Sequence, residues 1–176
     1  MNIQTNRLII TKFDLSMTEA VHLNSLDENN RRFVPDEVFE TVEEASKTLE
    51  FLISNYSSGE GPLVYPVLLK DQTYVGYVQV IHLNHEEWEI GYHVGGDHAG
   101  NGYATEAVSA FLPVIMNKLG INTIKGVCLA ENIASVKVME RCGFKKLYEG
   151  KGSYQGNERN ICHFVFTREN SEHNGQ

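Results

Sequence analysis

A glycine-containing turn between a predicted strand and a predicted helix constrains this chain more than any other segment. Residues 88–94 before the turn have the composition of a strand, and apolar residues recur at helical spacing after it. Such a junction leaves backbone N–H groups converging on one point, where the helix dipole favours an anion. Because glycine has no side chain, a phosphate can approach these groups closely. We therefore predict a pyrophosphate-binding loop at Ala99-Gly100-Asn101-Gly102-Tyr103-Ala104-Thr105.

Two common phosphate loops do not fit this segment. A Walker loop ends in Gly-Lys-Ser/Thr, whereas here Gly102 is followed by Tyr103. A dinucleotide-binding fingerprint needs a small residue where Thr105 stands, and it opens a repeated strand–helix unit. This loop instead lies in the second half of the chain, after a run of predicted strands. The loop therefore belongs to neither of these nucleotide-binding folds.

Three blocks of the sequence carry a family pattern. Residues 99–104 fit Gln/Arg-x-x-Gly-x-Gly/Ala except that Ala99 takes the first position, and Gly-Tyr-Ala-Thr-Glu-Ala stands at 102–107. Residues 131–144 contain Glu-Asn-x-x-Ser and end in Gly-Phe, and Thr-Asn-Arg-Leu-Ile-Ile stands at 5–10. Together these blocks resemble the GNAT superfamily of acetyl-CoA-dependent N-acetyltransferases over residues 5–167. Within it they resemble the RimJ/RimL-like branch of ribosomal-protein N-acetyltransferases.

The resemblance implies an α+β fold, with a mixed, mostly antiparallel twisted sheet and helices on both faces. It implies a single domain over residues 1–168, followed by a polar, frayed tail at 169–176. The expected activity is transfer of the acetyl group of acetyl-CoA to a primary amine, by direct attack in a ternary complex. The amine belongs to a protein N-terminus or to a small molecule. A non-catalytic acyl-CoA sensor, a transferase of longer acyl groups and a nucleotide-binding module are the alternatives.

The resemblance also assigns the acetyl-CoA contacts. The backbone of strand 88–94 is expected to bind the pantetheine arm, and Gly91 marks a bulge that would splay this strand from the next. A backbone amide there would meet the thioester carbonyl, where negative charge develops. Ala99 removes one side chain near the phosphates but leaves the backbone amides. The predicted donor-binding residues are Tyr92, His93, Val94, Ala99, Gly100, Asn101, Gly102, Tyr103, Ala104, Thr105, Asn132 and Ser135.

Glu89 is the predicted general base. An amine acceptor arrives as an ammonium, with a pKa of about 8 for an α-amino group and about 10 for a lysine-type group. Some group must take this proton before attack, directly or through water, and the resemblance implies an acidic residue at the position of Glu89. His93 is the alternative base, because strand alternation places it on the same face as Glu89.

Two polar residues near residue 133 are predicted on the leaving-group side. Asn132 suits a helix N-cap and also a contact with the pantetheine. Ser135 is the candidate proton donor to the departing thiolate, since Met139 stands where many superfamily members have a tyrosine. A thiol with a pKa of about 8.5 is a tolerable leaving group, so this acid contributes little at neutral pH.

Composition narrows the class of partner. The net charge of −8 speaks against nucleic acid and suits a cationic acceptor. The chain has no apolar run of membrane-spanning length, so no membrane partner is expected. Cys128, Cys142 and Cys162 lack metal-site spacing and indicate reduced thiols in a cytoplasmic protein. His82 and His85 lack a third ligand, so no metal is predicted. A homodimer is compatible with the sequence.

The order of predicted elements changes halfway along the chain. Capping boxes at 16–19 and 41–44 start two helices, with a loop at 29–39 between them. An antiparallel meander of strands follows at 63–70, 74–83 and 88–94. The second half then alternates. It has helices at 103–119 and 133–142, strands at 123–129, 145–149 and 160–168, and a glycine-rich connection at 151–157 that is predicted to form a long hairpin.

Overall fold

The protein folds around one eight-stranded sheet with the strand order β1-β2-β3-β4-β5-β6-β8-β7. The computed structural model describes residues 1–84 and 86–169. All neighbouring strands pair antiparallel except β5 and β6, which pair parallel. The strands are β1 (Ile3–Gln4), β2 (Leu8–Ile10), β3 (Leu63–Leu69), β4 (Tyr74–His82), β5 (Trp88–Val94), β6 (Thr123–Leu129), β7 (Lys145–Tyr154) and β8 (Asn157–Thr167). The predicted α+β fold is confirmed.

Within the described residues, five α-helices accompany the sheet. They are α1 (Thr18–Ser25), α2 (Glu28–Phe33), α3 (Val42–Ser58), α4 (Tyr103–Leu119) and α5 (Ile133–Arg141). Short 3-10 turns lie at Leu15–Met17, Pro35–Glu37 and Gly96–His98. Most of the tail predicted to be frayed, residues 170–176, lies outside the described residues, as does His85.

The helices cover both faces of the sheet. On one face α1 and α3 pack on β4 and β3, and Leu49 and Leu52 of α3 share a cluster with Val64 of β3. On the other face α4 and α5 form a larger core, in which Tyr65 of β3 packs on Phe111 of α4. Successive side chains of a strand point to opposite faces, so the central strand β3 is apolar throughout its buried length.

Helix α1 begins differently from the prediction. The predicted box at 16–19 is wrong, because Asp14 lies two residues earlier and its carboxylate accepts the Ser16 N–H at 2.9 Å. The chain first makes the 3-10 turn Leu15–Met17, and α1 then starts without a side-chain cap. The box predicted at 41–44 is present, since Thr41 Oγ1 accepts the Glu44 N–H at 3.2 Å.

The predicted loop at 29–39 is also wrong, because it contains α2 and the 3-10 turn Pro35–Glu37. Asp27 caps α2 by accepting the Asn29 N–H. Its second oxygen accepts the N–H of Gly96, which lies in the 3-10 turn that follows β5. Six residues are too few to show a helical period, so the sequence did not predict α2 or the contact that its cap makes.

The long hairpin predicted at 151–157 is present, and most of its residues belong to the two paired strands. β7 and β8 extend toward each other until only Gln155 and Gly156 separate them, both with positive φ. Two left-handed residues make a tight turn whose twist matches that of the flanking strands. The exposed faces of these strands carry polar side chains, so apolar periodicity underestimates their length.

Phe111 is the test of the larger core. It is fully buried against Tyr65, so Phe111→Ala should lower the free energy of unfolding by about 3–5 kcal/mol in urea titrations. Val114 on the same helix is 40% exposed, and Val114→Ala should cost less than about 1 kcal/mol. Equal losses in the two variants would contradict this placement of the core.

Candidate active site

Strands β5 and β6 pair over two residues and then separate. Their parallel register joins Glu89 to Lys125 and Ile90 to Gly126. Beyond these pairs, β5 continues along β4 as far as Val94, and β6 continues along β8 as far as Leu129. The edge of β5 from Gly91 onward therefore faces a wedge-shaped opening, with backbone N–H and C=O groups along it.

The predicted splay is present, but the predicted bulge at Gly91 is absent. The described register of β4 with β5 runs without a shift from Gly76 to His82. The opening arises because β5–β6 pairing stops, not because an extra residue is inserted. Gly91 has a different role, since a Cβ atom there would lie 2.6 Å from Nε2 of Gln79. The missing side chain lets Gln79 cross the strand.

The wide end of the opening meets the glycine loop. Gly95 leaves the sheet with its N–H bonded to Val75 O, and the turn Gly96–His98 follows. Gly100 and Gly102 have φ of 79° and 78°, a conformation that glycine adopts without strain. Helix α4 starts at Tyr103, and no side chain caps its N-terminus. The first N–H groups of α4 are thus available to an anion.

Arg7 holds this loop in place. Its Nη1 donates to the carbonyl oxygen of Asn101 at 2.8 Å, and its Nε donates to Glu106 Oε2 at 2.7 Å. Its guanidinium also lies 4.7 Å from the centre of the Tyr103 ring. The sequence analysis used Arg7 as part of a family pattern and missed this role. The positive charge of Arg7 therefore lies beside the loop. In this loop Ala99 takes the position where the family pattern has Gln or Arg.

Eleven of the twelve predicted donor-binding residues line one groove of about 590 Å3, and Asn101 does not. The Asn101 side chain turns back into the loop and donates to His98 O at 3.0 Å. Lys137 and Arg141 of α5 also line the groove, and sequence reasoning missed both. Their spacing of four residues, which places two cations on one helix face, was the available signal.

Two hydroxyl groups meet between β5 and α5. The Tyr92 hydroxyl donates to Ser135 O at 2.8 Å and lies 2.9 Å from Ser135 Oγ. Asn132 caps α5, its Oδ1 accepting the Ser135 N–H at 3.2 Å. Burial raises the pKa of Tyr92. The sequence analysis gave Tyr92 mainly a backbone role, whereas its side chain fixes Ser135.

A second cavity, of about 460 Å3, opens on the other side of this hydroxyl pair. Tyr92, Asn132 and Ser135 line both the groove and this cavity, so the two spaces adjoin through the sheet. Glu89 lines the second cavity, and burial raises its pKa against the opposing effect of Lys125. A carboxyl with a raised pKa is a better proton acceptor at neutral pH than an exposed one.

The alternative base, His93, lies elsewhere. Its ring packs against Tyr77 with the ring centres 5.9 Å apart, and it lines the groove but not the second cavity. Burial lowers the pKa of His93 to about 4, so the imidazole is neutral at pH 7. The geometry therefore favours Glu89 over His93 as the group that meets an acceptor in the second cavity.

Glu37 is a second carboxyl in this cavity, and sequence reasoning missed it because residues 29–39 were predicted as a loop. Burial raises the pKa of Glu37 to about 7, and Gln79 offsets part of that increase. Its Oε2 is buried without a hydrogen-bond partner among the described residues. Glu37 lies in a three-residue 3-10 turn, which is too short to produce a periodic pattern in the sequence.

The two spaces differ in charge. The groove has Lys137, Arg141 and a free helix N-terminus, and its one carboxylate within the described chain, Glu131, is paired with Arg159 at 2.9 Å. The second cavity has Glu37 and Glu89, and no lysine or arginine of the described residues lines it. The groove suits an anionic ligand, and the second cavity suits a cationic one.

The described residues carry no sign of a metal site, a disulfide or a membrane-spanning helix. In the described part of the chain, no three His, Cys, Asp or Glu side chains are grouped to hold a metal ion. Cys128, Cys142 and Cys162 are buried and unbridged. Within residues 1–84 and 86–169, every helix is too short or too polar to cross a bilayer.

Known proteins share this sequence pattern and fold. Residues 7–145 match the family described as the acetyltransferase (GNAT) domain. An uncharacterized N-acetyltransferase of Bacillus subtilis (strain 168), YnaD, is 29% identical over 148 residues, which are 83% of this chain and 84% of that protein.

Solved structures extend the comparison. A GNAT-family acetyltransferase from Bacillus anthracis superposes with a TM-score of 0.81 at 26% identity, covering 95% of this chain and 98% of that one. RimL, a ribosomal L7/L12 alpha-N-protein acetyltransferase solved with coenzyme A, gives a TM-score of 0.82 at 18% identity. That alignment covers 96% of this chain and 98% of RimL, and at this identity it shows the shared fold.

The buried carboxyl of Glu37 predicts a pH-dependent stability. Burial raises its pKa from 4.5 to about 7, so between these values the folded state holds a proton that the unfolded state releases. The free energy of unfolding then falls as pH rises through this window, by about 3 kcal/mol from this group, since each unit of pKa shift corresponds to about 1.4 kcal/mol. Glu37→Gln removes this effect, and its Tm advantage over the wild type should grow between about pH 5 and about pH 8.

The matched control is Glu50→Gln, which removes an exposed carboxylate of α3. Its Tm difference from the wild type should stay constant over the same pH range in differential scanning calorimetry. A constant difference for Glu37→Gln as well would show that the Glu37 carboxyl is ionised in the folded state throughout.

Proposed function

The chain belongs to the acetyltransferase (GNAT) domain family and is an acyltransferase, and on that premise we propose that it transfers the acetyl group of acetyl-CoA to a primary amine. One observation supports this most directly. A groove suited to an anion and a cavity suited to a cation adjoin at Tyr92 and Ser135, at the point where two strands of the sheet separate. A donor and an acceptor could thus meet there in one ternary complex.

In this proposal the groove binds the donor. The free N–H groups at the start of α4 and the side chains of Lys137 and Arg141 hold the pyrophosphate. The open edge of β5, from Tyr92 to Val94, pairs with the pantetheine arm as another strand would. One of its N–H groups then meets the thioester oxygen, where charge develops during attack.

In the second cavity Glu89 takes a proton from the ammonium of the acceptor. The neutral amine attacks the thioester carbon, so that a C–N bond forms and the C–S bond breaks. Ser135, oriented by Tyr92 and by its cap Asn132, donates a hydrogen bond or a proton to the departing sulfur. Glu89 releases the first proton to solvent, the second proton of the attacking nitrogen passes through Ser135 to the thiolate, and the products are the N-acetyl amine and the CoA thiol.

A finer assignment to the RimJ/RimL-like branch is part of this proposal. The sequence blocks at 99–107 and 131–144 and the fold shared with RimL support it. RimL acts on the protein L7/L12, and a protein N-terminus is one acceptor class for this chain; a small amine is the other. We propose a cytoplasmic enzyme, consistent with three reduced cysteines.

The direct test is release of the CoA thiol from acetyl-CoA in the presence of pooled amines and N-terminal peptides, corrected for a blank without acceptor. Release above the blank establishes transfer. Binding of acetyl-CoA with no release from any pool would favour the non-catalytic sensor. Faster release from a longer acyl-CoA would favour the alternative donor, and absence of any CoA binding would overturn the proposal.

Glu89→Gln should lower kcat/KM for the amine by about 100-fold or more, because the amide cannot accept the proton. The KM for acetyl-CoA should change little, since Glu89 lines the second cavity and not the groove. Glu87→Gln is the matched control, because Glu87 is an exposed carboxylate of the same segment, paired with Lys125 at 2.8 Å. Similar activity in the two variants would exclude Glu89 as the base.

A further inference from the structure

A third cavity, of about 270 Å3, lies between helices α1 and α3 and the sheet face formed by β3 and β4. Its lining is mainly apolar, with Val21, Leu49 and Leu52 on the helices and Val64 on the sheet. Its volume is near the lower limit of about 300–1,000 Å3 for small-molecule pockets. It therefore suits one compact apolar group and is too small for a long chain.

This apolar cavity borders the acceptor-side cavity described above. Glu37, Tyr77 and Gln79 line both, so a molecule in one can extend into the other. The Gln79 side chain lies over Gly91 of the neighbouring strand at this border, in the space that a Cβ atom at position 91 would occupy. The apolar space, Glu37 and Glu89 thus lie along one continuous path toward the Tyr92–Ser135 pair.

Two residues that line the apolar cavity each have a buried oxygen atom without a hydrogen-bond donor among the described residues. These atoms are Oε2 of Glu37 and Oδ1 of Asn30. Asn30 is 2% exposed, lines the apolar cavity and uses its Nδ2 to bond Ser25 O at 3.2 Å. Buried acceptors of this kind are normally satisfied, so the site is built for a ligand with N–H donors. An ammonium supplies three such donors and no acceptor.

The charges at the border exclude one class of amine. Asp36, Glu37 and Glu89 line the two cavities, and none of the described lining residues is a lysine or arginine. The carboxylate of a free amino acid would therefore lie among carboxylates without a counter-ion. An amine without an adjacent negative charge does not have this cost.

We propose that the acceptor is a primary amine bearing one compact apolar group and no neighbouring carboxylate, with the ammonium bound at Glu37 and the apolar group in the cavity under α1 and α3. This inference rests on the proposed acetyl transfer and specifies its acceptor. A free aralkyl amine and a peptide whose first residue is apolar share this chemistry. Glu37 is then the residue that binds the amine, and Glu89 accepts its proton.

The test measures CoA release at saturating acetyl-CoA with four amines. Phenethylamine has the proposed features, ethylamine lacks the apolar group, and phenylalanine adds a carboxylate. Phe-Gly-Gly amide presents the same ring on a peptide, and its kcat/KM relative to phenethylamine distinguishes the two sources. Burial of the ring should raise kcat/KM for phenethylamine by about tenfold or more over ethylamine. A similar preference is expected over phenylalanine.

Two variants separate the two halves of the site. Glu37→Gln should raise the KM for phenethylamine by about tenfold or more, because the amide no longer attracts the ammonium. Thr48→Phe places a ring in the apolar cavity from a half-buried position on α3, and should remove most of the preference for phenethylamine over ethylamine. Glu50→Gln, on the exposed side of α3, should behave as the wild type. Unchanged KM values for acetyl-CoA would show that each variant is folded.

Calorimetric titration of phenethylamine into the CoA-bound protein gives a readout besides turnover. Binding that weakens in Glu37→Gln and in Thr48→Phe would support the inference. Turnover of ethylamine or phenylalanine at least as efficient as that of phenethylamine would overturn it and leave acetyl transfer intact. If Glu37→Gln and Thr48→Phe both kept the preference for phenethylamine over ethylamine, this would also overturn the inference. A protein that does not bind CoA would instead overturn the proposed function on which the inference rests.

Discussion

The site depends on one break in backbone pairing. β5 and β6 are hydrogen-bonded neighbours over two residue pairs only, and then each follows its other neighbour. Parallel strands joined by a crossover can diverge in this way without leaving the sheet, because β4 and β8 continue to satisfy one edge of each strand. The cost is an unpaired strand edge, and a ligand that pairs with it recovers the lost hydrogen bonds.

The remaining parts of the site follow from where the strands point after they separate. β5 runs into the glycine loop and α4, whose N-terminus faces the groove, and β6 runs into Asn132 and α5. The Tyr92–Ser135 contact joins the two sides of the wedge across the gap. Arg7, directly before β2, and Asp27, which caps α2, then bond to the loop, so the segment after β5 is held from both sides.

The net charge of the chain does not reveal how charges are distributed within the site. A net charge of −8 suggests an acidic surface, yet the groove has cations and a helix N-terminus while the carboxylates gather in the cavities behind the sheet. Burial changes the acidity of two of those carboxyl groups, since it raises the pKa of Glu37 and of Glu89.

The sequence by itself determined the elements with strong periodicity and the motifs that link them. The predicted bounds of β5, α4 and β6 match the structure. An amphipathic helix and a buried strand each have a characteristic pattern of apolar residues, which is visible in the sequence. The family blocks located most of the groove, since loop and helix N-terminus are contiguous in sequence. Only the tertiary structure decided the identity of the cavity residues. Arg7, Glu37 and Gln79 meet their partners across many intervening residues, and α2 is fixed by the Asp27–Gly96 contact. Such contacts depend on strand order and burial, which local pattern and propensity do not encode.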